Sequence, residues 1–186
     1  MIKRAETTLP LFQLRSTTDA TIDSVHLSPG GYWLLLYRDL SSSRGDALLT
    51  LLDGMAKPAP LAAASSAAAR TPLDASKLVI VLRNATGAQL SAMQLNYPDL
   101  KQAQWLRDEK NLAAHALKIS GAPHLIGGHE GSWRWQLAGS LEDPAMQTTV
   151  QTWLRLNRLP KNALVVHKLK MPAKPAPAAA KVASQP

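Results

Sequence analysis

The chain has no cysteine at any of its 186 positions. That one absence excludes disulfides, thiolate metal sites and cysteine nucleophiles together. It also has no run of about 18 apolar residues, so a membrane-spanning helix is not expected. The longest apolar stretches, Trp33–Tyr37 and Leu78–Leu82, have the length of buried strands. The N-terminus carries Lys3 and Arg4 but no apolar segment behind them, and Ser16–Asp23 is polar. No export signal is visible, which reads as a cytoplasmic protein; the alternative is a periplasmic one whose leader has been removed. No internal repeat is present.

What the chain does contain points to one folded body. Its composition is 46% hydrophobic and 18% charged, which excludes a wholly disordered protein and suits a single core. The formal net charge of +8 is unevenly placed. Seven Lys/Arg and no acid lie beyond residue 154, which leaves the rest of the chain close to neutral. The basicity therefore belongs to a C-terminal tail and says little about the body.

Hydrophobic periodicity orders the elements. Leu11–Ser16 and Thr21–Leu27 read as short strands, and Ser28–Gly31 as a turn. Tyr32–Arg38 reads as a central strand, apolar on both faces. The polar loop Asp39–Gly45 leads into a helix over Asp46–Met55, with an acid in its first turn. Ala56–Ser76 is an Ala/Ser/Pro-rich low-complexity insertion. Lys77–Arg83 is a second central strand, Ala88–Leu95 a helix, Gln104–Arg107 a weak strand. Asn111–Lys118 is a helix with Asp108 and Asn111 as capping candidates. His124–Gly127 and Ser132–Ala138 form a hairpin about the turn Gly128–Gly131, with Trp133 and Trp135 expected on one face. Glu142–Asn157 closes the body as a helix whose apolar stripe is Met146, Val150, Trp153 and Leu154. The segment Ala163–Val166 is a last short apolar run, followed by Pro/Ala/Lys-rich sequence.

This order, with Trp33–Leu52, Ile119–Pro123 (ISGAP) and Trp133–Gly139 (WRWQLAG) as signposts, resembles the thioredoxin-like superfamily, in spacing its TlpA-like branch. The resemblance covers roughly residues 28–156. It implies an α/β protein with a mixed β-sheet flanked by helices on both faces, and a cis proline at Pro123. It also implies a polypeptide-holding groove formed by Ser41, Ser42, Ser43, Arg44, Ala122, Pro123 and His124. Counted without gaps from Tyr32–Arg38, the family's Cys-x-x-Cys motif falls on Ser41-Ser42-Ser43-Arg44. Thiol–disulfide exchange requires an attacking thiolate and a second thiolate to release the mixed disulfide. A serine hydroxyl supplies neither, so the chemistry the resemblance would bring is absent.

Other constellations carry less. Ser41 as a hydrolytic nucleophile needs a base within reach, and His124 is the one the resemblance would place nearby. No G-x-S-x-G motif supports it. His124, His129 and Glu130 flank a turn and lack the ligand count of a structural metal site. Arg44-Gly45-Asp46 is a tripeptide frequent by chance, and Asp46 has a simpler place at a helix start. Trp133 and Trp135 read as core rather than as a binding platform. The basic tail can neutralise phosphates but lacks any nucleic-acid motif.

The expected organisation is residues 1–27 as N-terminal strands or extension, 28–160 as a thioredoxin-like domain with the 56–76 insertion, and 161–186 as a disordered basic tail. The two Ala/Pro-rich segments, Ala56–Ser76 and Met171–Pro186, are expected to be the most mobile. The expected function is a redox-inactive protein- or peptide-binding or scaffold module, not an enzyme and without cofactor or metal. Its partner is expected to be a protein or an extended peptide. The alternative is a degenerate member of an envelope thiol–disulfide oxidoreductase family. Oligomeric state and partner identity are not legible.

Overall fold

The computed structural model describes residues 2–27, 30–58, 72–138 and 144–156. In chain order the strands are β1 (Ile2–Thr8), β2 (Gln13–Arg15), β3 (Thr21–Asp23) and β4 (Tyr32–Asp39), then β5 (Leu78–Arg83), β6 (Gln104–Asp108), β7 (His124–His129) and β8 (Ser132–Ala138). The helices are α1 (Asp46–Ala56), α2 (Gly87–Asn96), α3 (Leu112–Ala116) and α4 (Pro144–Leu156). All eight strands form one sheet, in the order β1-β8-β7-β4-β5-β6-β2-β3. β4, β5 and β6 run parallel; β7, β8 and β1 are antiparallel to their neighbours.

β4 sits at the centre because six consecutive residues, Trp33–Arg38, are buried. A strand buried on both faces must be covered on both. One face packs Leu34, Leu36, Ile80 and Leu125 against α1, α2 and α4. The other packs Trp33, Leu35, Val79, Val81 and Ile126 against α3 and residues 9–27. In α1, Leu48, Leu49 and Leu52 are fully buried, each contributing about 1.5–3 kcal/mol over its exposed state. α2 starts at a capping box: Thr86 Oγ1 accepts from the Gln89 amide at 3.2 Å, and Gln89 Oε1 accepts from the Thr86 amide at 2.8 Å.

From residue 32 onward the elements come in the order their periodicity predicts. The N-terminal residues are not an appendage. β1 pairs with β8 at one edge of the sheet, and β2 pairs with β6 at the other. The proposed insertion is narrower than expected on its C-terminal side, since Leu73 and Ala75 join the core and the Leu73 amide donates to the Met55 carbonyl at 2.8 Å. Residues 59–71 and 157–186, which hold the rest of the insertion, the 163–166 run and the tail, lie outside the described residues, as do 28–29 and 139–143.

Trp133 and Trp135 do not share a face, contrary to the alternation of an unbroken strand. The β7–β8 register pairs Gly127 with Trp135 but Gly128 with Trp133, so Arg134 is an extra residue on β8. Such a bulge turns the side chain before it to the opposite face. Trp135 consequently enters the core under α4, whereas Trp133 packs, half-buried, on the other side.

Gly54 lies exposed in α1, and a Cβ built there meets nothing within 4 Å. A glycine inside a helix costs about 0.5–1 kcal/mol relative to alanine. Gly54→Ala is therefore expected to raise stability by about that amount, read as a higher midpoint in urea unfolding with an unchanged slope.

Candidate functional site

The three parallel strands end alike: β4 in Arg38-Asp39, β5 in Arg83 followed by Asn84, β6 in Arg107-Asp108. Register places Asp39 beside Arg83 and Arg83 beside Asp108. Two residues earlier, Tyr37 is paired with His124 of β7. Side chains alternate along strands, and Tyr37, Val81, Leu106 and Ile126 all face the α3 side. Tyr37, Asp39, Arg83, Asp108 and His124 therefore gather on that face, at the C-terminal end of the parallel strands. In open α/β sheets this is the end at which ligands bind.

The pairing of Tyr37 with His124 also brings together the two segments expected to form a groove. The 39–45 segment leaves β4 there, and the Ala122–Pro123 peptide, which is cis, enters β7 there. Ser41 and Ser43 are exposed, Ser42 and Ala122 half-buried. Pro123 and His124 are buried, and His124 Nδ1 lies 3.3 Å from the Gly121 carbonyl. A groove here would be lined by backbone and serine hydroxyls more than by the Pro123 or His124 side chains. Arg44 lies in the one-turn 3-10 helix Ser43–Gly45 that leads into α1; its side chain is outside the described residues.

Ser41 is bound to Asp39. Asp39 Oδ1 accepts from the Ser41 hydroxyl at 2.6 Å, from the Ser41 amide at 2.9 Å and from Asn84 Nδ2 at 3.1 Å. Its Oδ2 lies 3.7 Å from Arg83 Nη1. Burial alone raises the Asp39 carboxyl; the Ser41 hydroxyl and amide, Asn84 and the Arg83 charge outweigh it and hold the group below the usual carboxylate range. A serine whose proton is engaged by an anchored carboxylate lacks the Ser–His arrangement of a hydrolytic nucleophile.

Two residues back along β4 from Asp39, Tyr37 OH donates to Asp108 Oδ2 at 2.9 Å, and the Ala114 amide of α3 donates to the same oxygen at 3.0 Å. Both side chains are about 1% exposed. Burial first, then the charge and hydrogen bond of Asp108, push the Tyr37 phenol far above its ordinary range. Asp108 thus caps the first turn of α3, as the sequence suggested, and ties that helix to the sheet through Tyr37. Asn111 takes the N-cap position with a left-handed backbone and no side-chain cap bond.

On the opposite face Arg38 is 4% exposed and pairs with Asp46 Oδ1 at 2.5 Å. It runs beneath Gly45, where an added Cβ would lie 2.5 Å from its Cγ and Cδ. The 44–46 tripeptide is therefore folded around a buried arginine, not presented on a loop. His124 and His129 open and close the six-residue β7, about 17 Å apart at strand rise, too far to share an ion. Among the described residues no group of three or more His, Asp or Glu is placed to hold a metal, and no helix is long and apolar enough to cross a membrane. The described cavities open instead at the β2–β3 edge, the larger, about 390 Å3, lined by Leu11, Phe12, Gln13, Asp23 and Val25.

Reading from sequence alone missed Asp39, Asn84, Arg83, Tyr37 and Arg38 as parts of this end. The signal was present: an arginine followed by a carboxylate or carboxamide closes each of three apolar strands, Arg38-Asp39, Arg83-Asn84 and Arg107-Asp108.

At the level of sequence, no family model and no curated protein matches the chain. Solved structures do. A secreted Mycobacterium tuberculosis disulfide oxidoreductase, described as homologous to E. coli DsbE, is 14% identical with a TM-score of 0.53, over 77% of this chain and 93% of that one. A putative thiol:disulfide interchange protein DsbE from Chlorobium tepidum is 15% identical with a TM-score of 0.55, over 82% and 95%. An exposed lipoprotein thioredoxin from Streptococcus pneumoniae strain TIGR4 is 14% identical with a TM-score of 0.50, over 78% and 98%. Those likenesses concern the fold, and the chemistry named for those proteins has no thiol to work with in this chain. The chain has the thioredoxin-like fold without the dithiol.

Proposed function

We propose that the chain is a redox-inactive binding module, not an enzyme, that holds an extended polypeptide between the 41–45 turn and residues 121–124. The observation that carries this reading is the Tyr37–His124 pairing, which puts the two segments at one end of the sheet. Backbone groups next to a cis proline can pair with an extended segment without any covalent step. Fluorescence anisotropy with labelled, reduced and carboxamidomethylated α-lactalbumin, a permanently unfolded probe, tests it at 150 mM salt. Gly121 is exposed with open space at its Cβ position, so Gly121→Gln leaves the fold intact and adds bulk at the groove. Saturable binding that weakens at least about fivefold in this variant is expected. Equal affinity of the two proteins contradicts the placement, and a steep loss with added salt assigns the binding to the basic tail instead.

A second reading, a degenerate member of an envelope thiol–disulfide family, draws on the fold shared with thiol:disulfide interchange proteins. Ser41→Cys with Arg44→Cys restores a dithiol at the matching positions. A gain of insulin-reducing activity supports this reading, and a folded but inactive double variant counts against it. The secreted and lipoprotein descriptions of two of the similar structures favour a place outside the cytoplasm over the cytoplasmic one read from the N-terminus.

A further inference from the structure

The Asp39 carboxylate is heavily engaged. One oxygen takes three donors, two from Ser41 and one from Asn84, and the other faces Arg83. The Asp39 carbonyl adds a fifth link, accepting from the Ser42 amide at 3.1 Å, while the Leu40 amide donates to the Arg83 carbonyl at 3.0 Å. Ser41 itself is exposed, so apolar packing does not hold its position. The start of the turn between β4 and α1 is thus tied to the end of β5 by one side chain that spans two strand ends.

We propose that Asp39 is the positioning residue of this site, fixing the 41–45 turn against the end of β5 in the shape that receives the polypeptide. This rests on the polypeptide-binding reading given above. Among the described residues the charged and titratable groups around Asp39 are Arg83 on β5, Tyr37 on its own strand, Asp108 on β6 through Tyr37, and His124 on β7 beside Tyr37. Arg83 balances Asp39 directly, and Tyr37 stays neutral throughout the acidic range. Protonation of Asp39 removes the charge that makes its hydrogen bonds strong. Because its carboxyl is held low in the folded state, the anchoring persists at neutral pH and is lost only as pH falls below the ordinary carboxylate range.

The test compares wild type, Asp39→Asn and Asp39→Ala in the full chain by two independent readouts. The first is amide hydrogen exchange at Ser41 and Ser42 in the free protein. The second is affinity for the carboxamidomethylated α-lactalbumin probe between pH 7 and pH 2. In Asp39→Ala, exchange at both amides is expected to accelerate at least about tenfold and probe affinity to fall about as much. Exchange in β4 and β5 stays slow. Asp39→Asn, which keeps an acceptor oxygen, is expected to retain intermediate affinity with no pH dependence, whereas wild-type affinity falls on acidification together with Ser41 protection. Unchanged Ser41 exchange in Asp39→Ala overturns the positioning role, whether or not the probe binds. Accelerated exchange with undiminished affinity overturns its link to binding. A wild-type protein that never binds the probe overturns the polypeptide-binding reading itself, and with it the functional half of the proposal.

Discussion

Gly127→Ala and Gly128→Ala are each expected to destabilise the protein by about 2–3 kcal/mol or more, among the largest effects of adding a single methyl group. The two glycines are consecutive on β7, so their Cα positions open toward opposite faces of the sheet. Trp135 covers one and Trp33 the other, and each tryptophan is the direct cross-strand partner of the glycine it covers. A Cβ at Gly127 would lie 2.1 Å from Trp135 Nε1, and one at Gly128 would lie 2.1 Å from Trp33 Cε2 and Cζ2. Neither indole can yield. Both are fully buried, Trp33 Nε1 donates to the Glu130 carbonyl at 2.8 Å, and Trp135 stands edge-on to Trp153 with ring centroids 5.6 Å apart. Urea unfolding followed by far-ultraviolet circular dichroism measures the loss, with Gly131→Ala as a control because nothing lies within 4 Å of a Cβ there. A loss under about 0.5 kcal/mol in both variants would mean that the indoles do not sit over the glycines.

The second large effect concerns the buried Tyr37–Asp108 pair. Asp108→Ala leaves the Tyr37 hydroxyl and the Ala114 amide without their acceptor in a dry site, at an expected cost of about 2–4 kcal/mol. Asp108→Asn keeps an acceptor oxygen for both donors and is expected to lose less than half as much. The pair has a pH signature as well. The Tyr37 phenol is raised in the folded protein, chiefly by burial and next by Asp108. Its contribution to stability is therefore fully present below the unfolded value of about 10 and is lost as pH rises above it. An absorbance titration at 295 nm should show that one of the three tyrosines ionises only when the protein unfolds. Ionisation of all three in the native state would refute the burial of this pair.

Much of this architecture is legible in the chain because its strands and helices are strongly patterned. Tyr32–Asp39 and Leu78–Arg83 are apolar on both faces, as strands between two helical layers must be. The capping box of α2 and the apolar stripe of α4 are local signals that tertiary structure did not override. β1 was not legible for a physical reason. It is an edge strand with a single partner, and its sequence, Ile-Lys-Arg-Ala-Glu-Thr-Thr, shows no alternation of apolar and polar residues. The bulge at Arg134 was hidden because a bulge is written in register between strands, not in the composition of either one. The candidate site was half legible. Residues 41–44 and 122–124 come from order and signposts, but Asp39, Arg83 and Asn84 act together only because parallel pairing aligns strand ends separated by more than forty residues in sequence.

Without thiols, the proposed role of this fold is to bind polypeptide at the end of the sheet where β4 ends and β7 begins. Amide chemical-shift mapping of the full chain with reduced, carboxamidomethylated α-lactalbumin addresses it most directly. The expected result is a saturable set of shifts centred on Ser41, Ser42, Gly45, Gly121, Ala122 and His124, with β1 and the β2–β3 edge undisturbed. Shifts confined to Leu11, Phe12 and Val25 at that edge, or to the basic residues beyond 156, with none at the 41–45 turn, would contradict it.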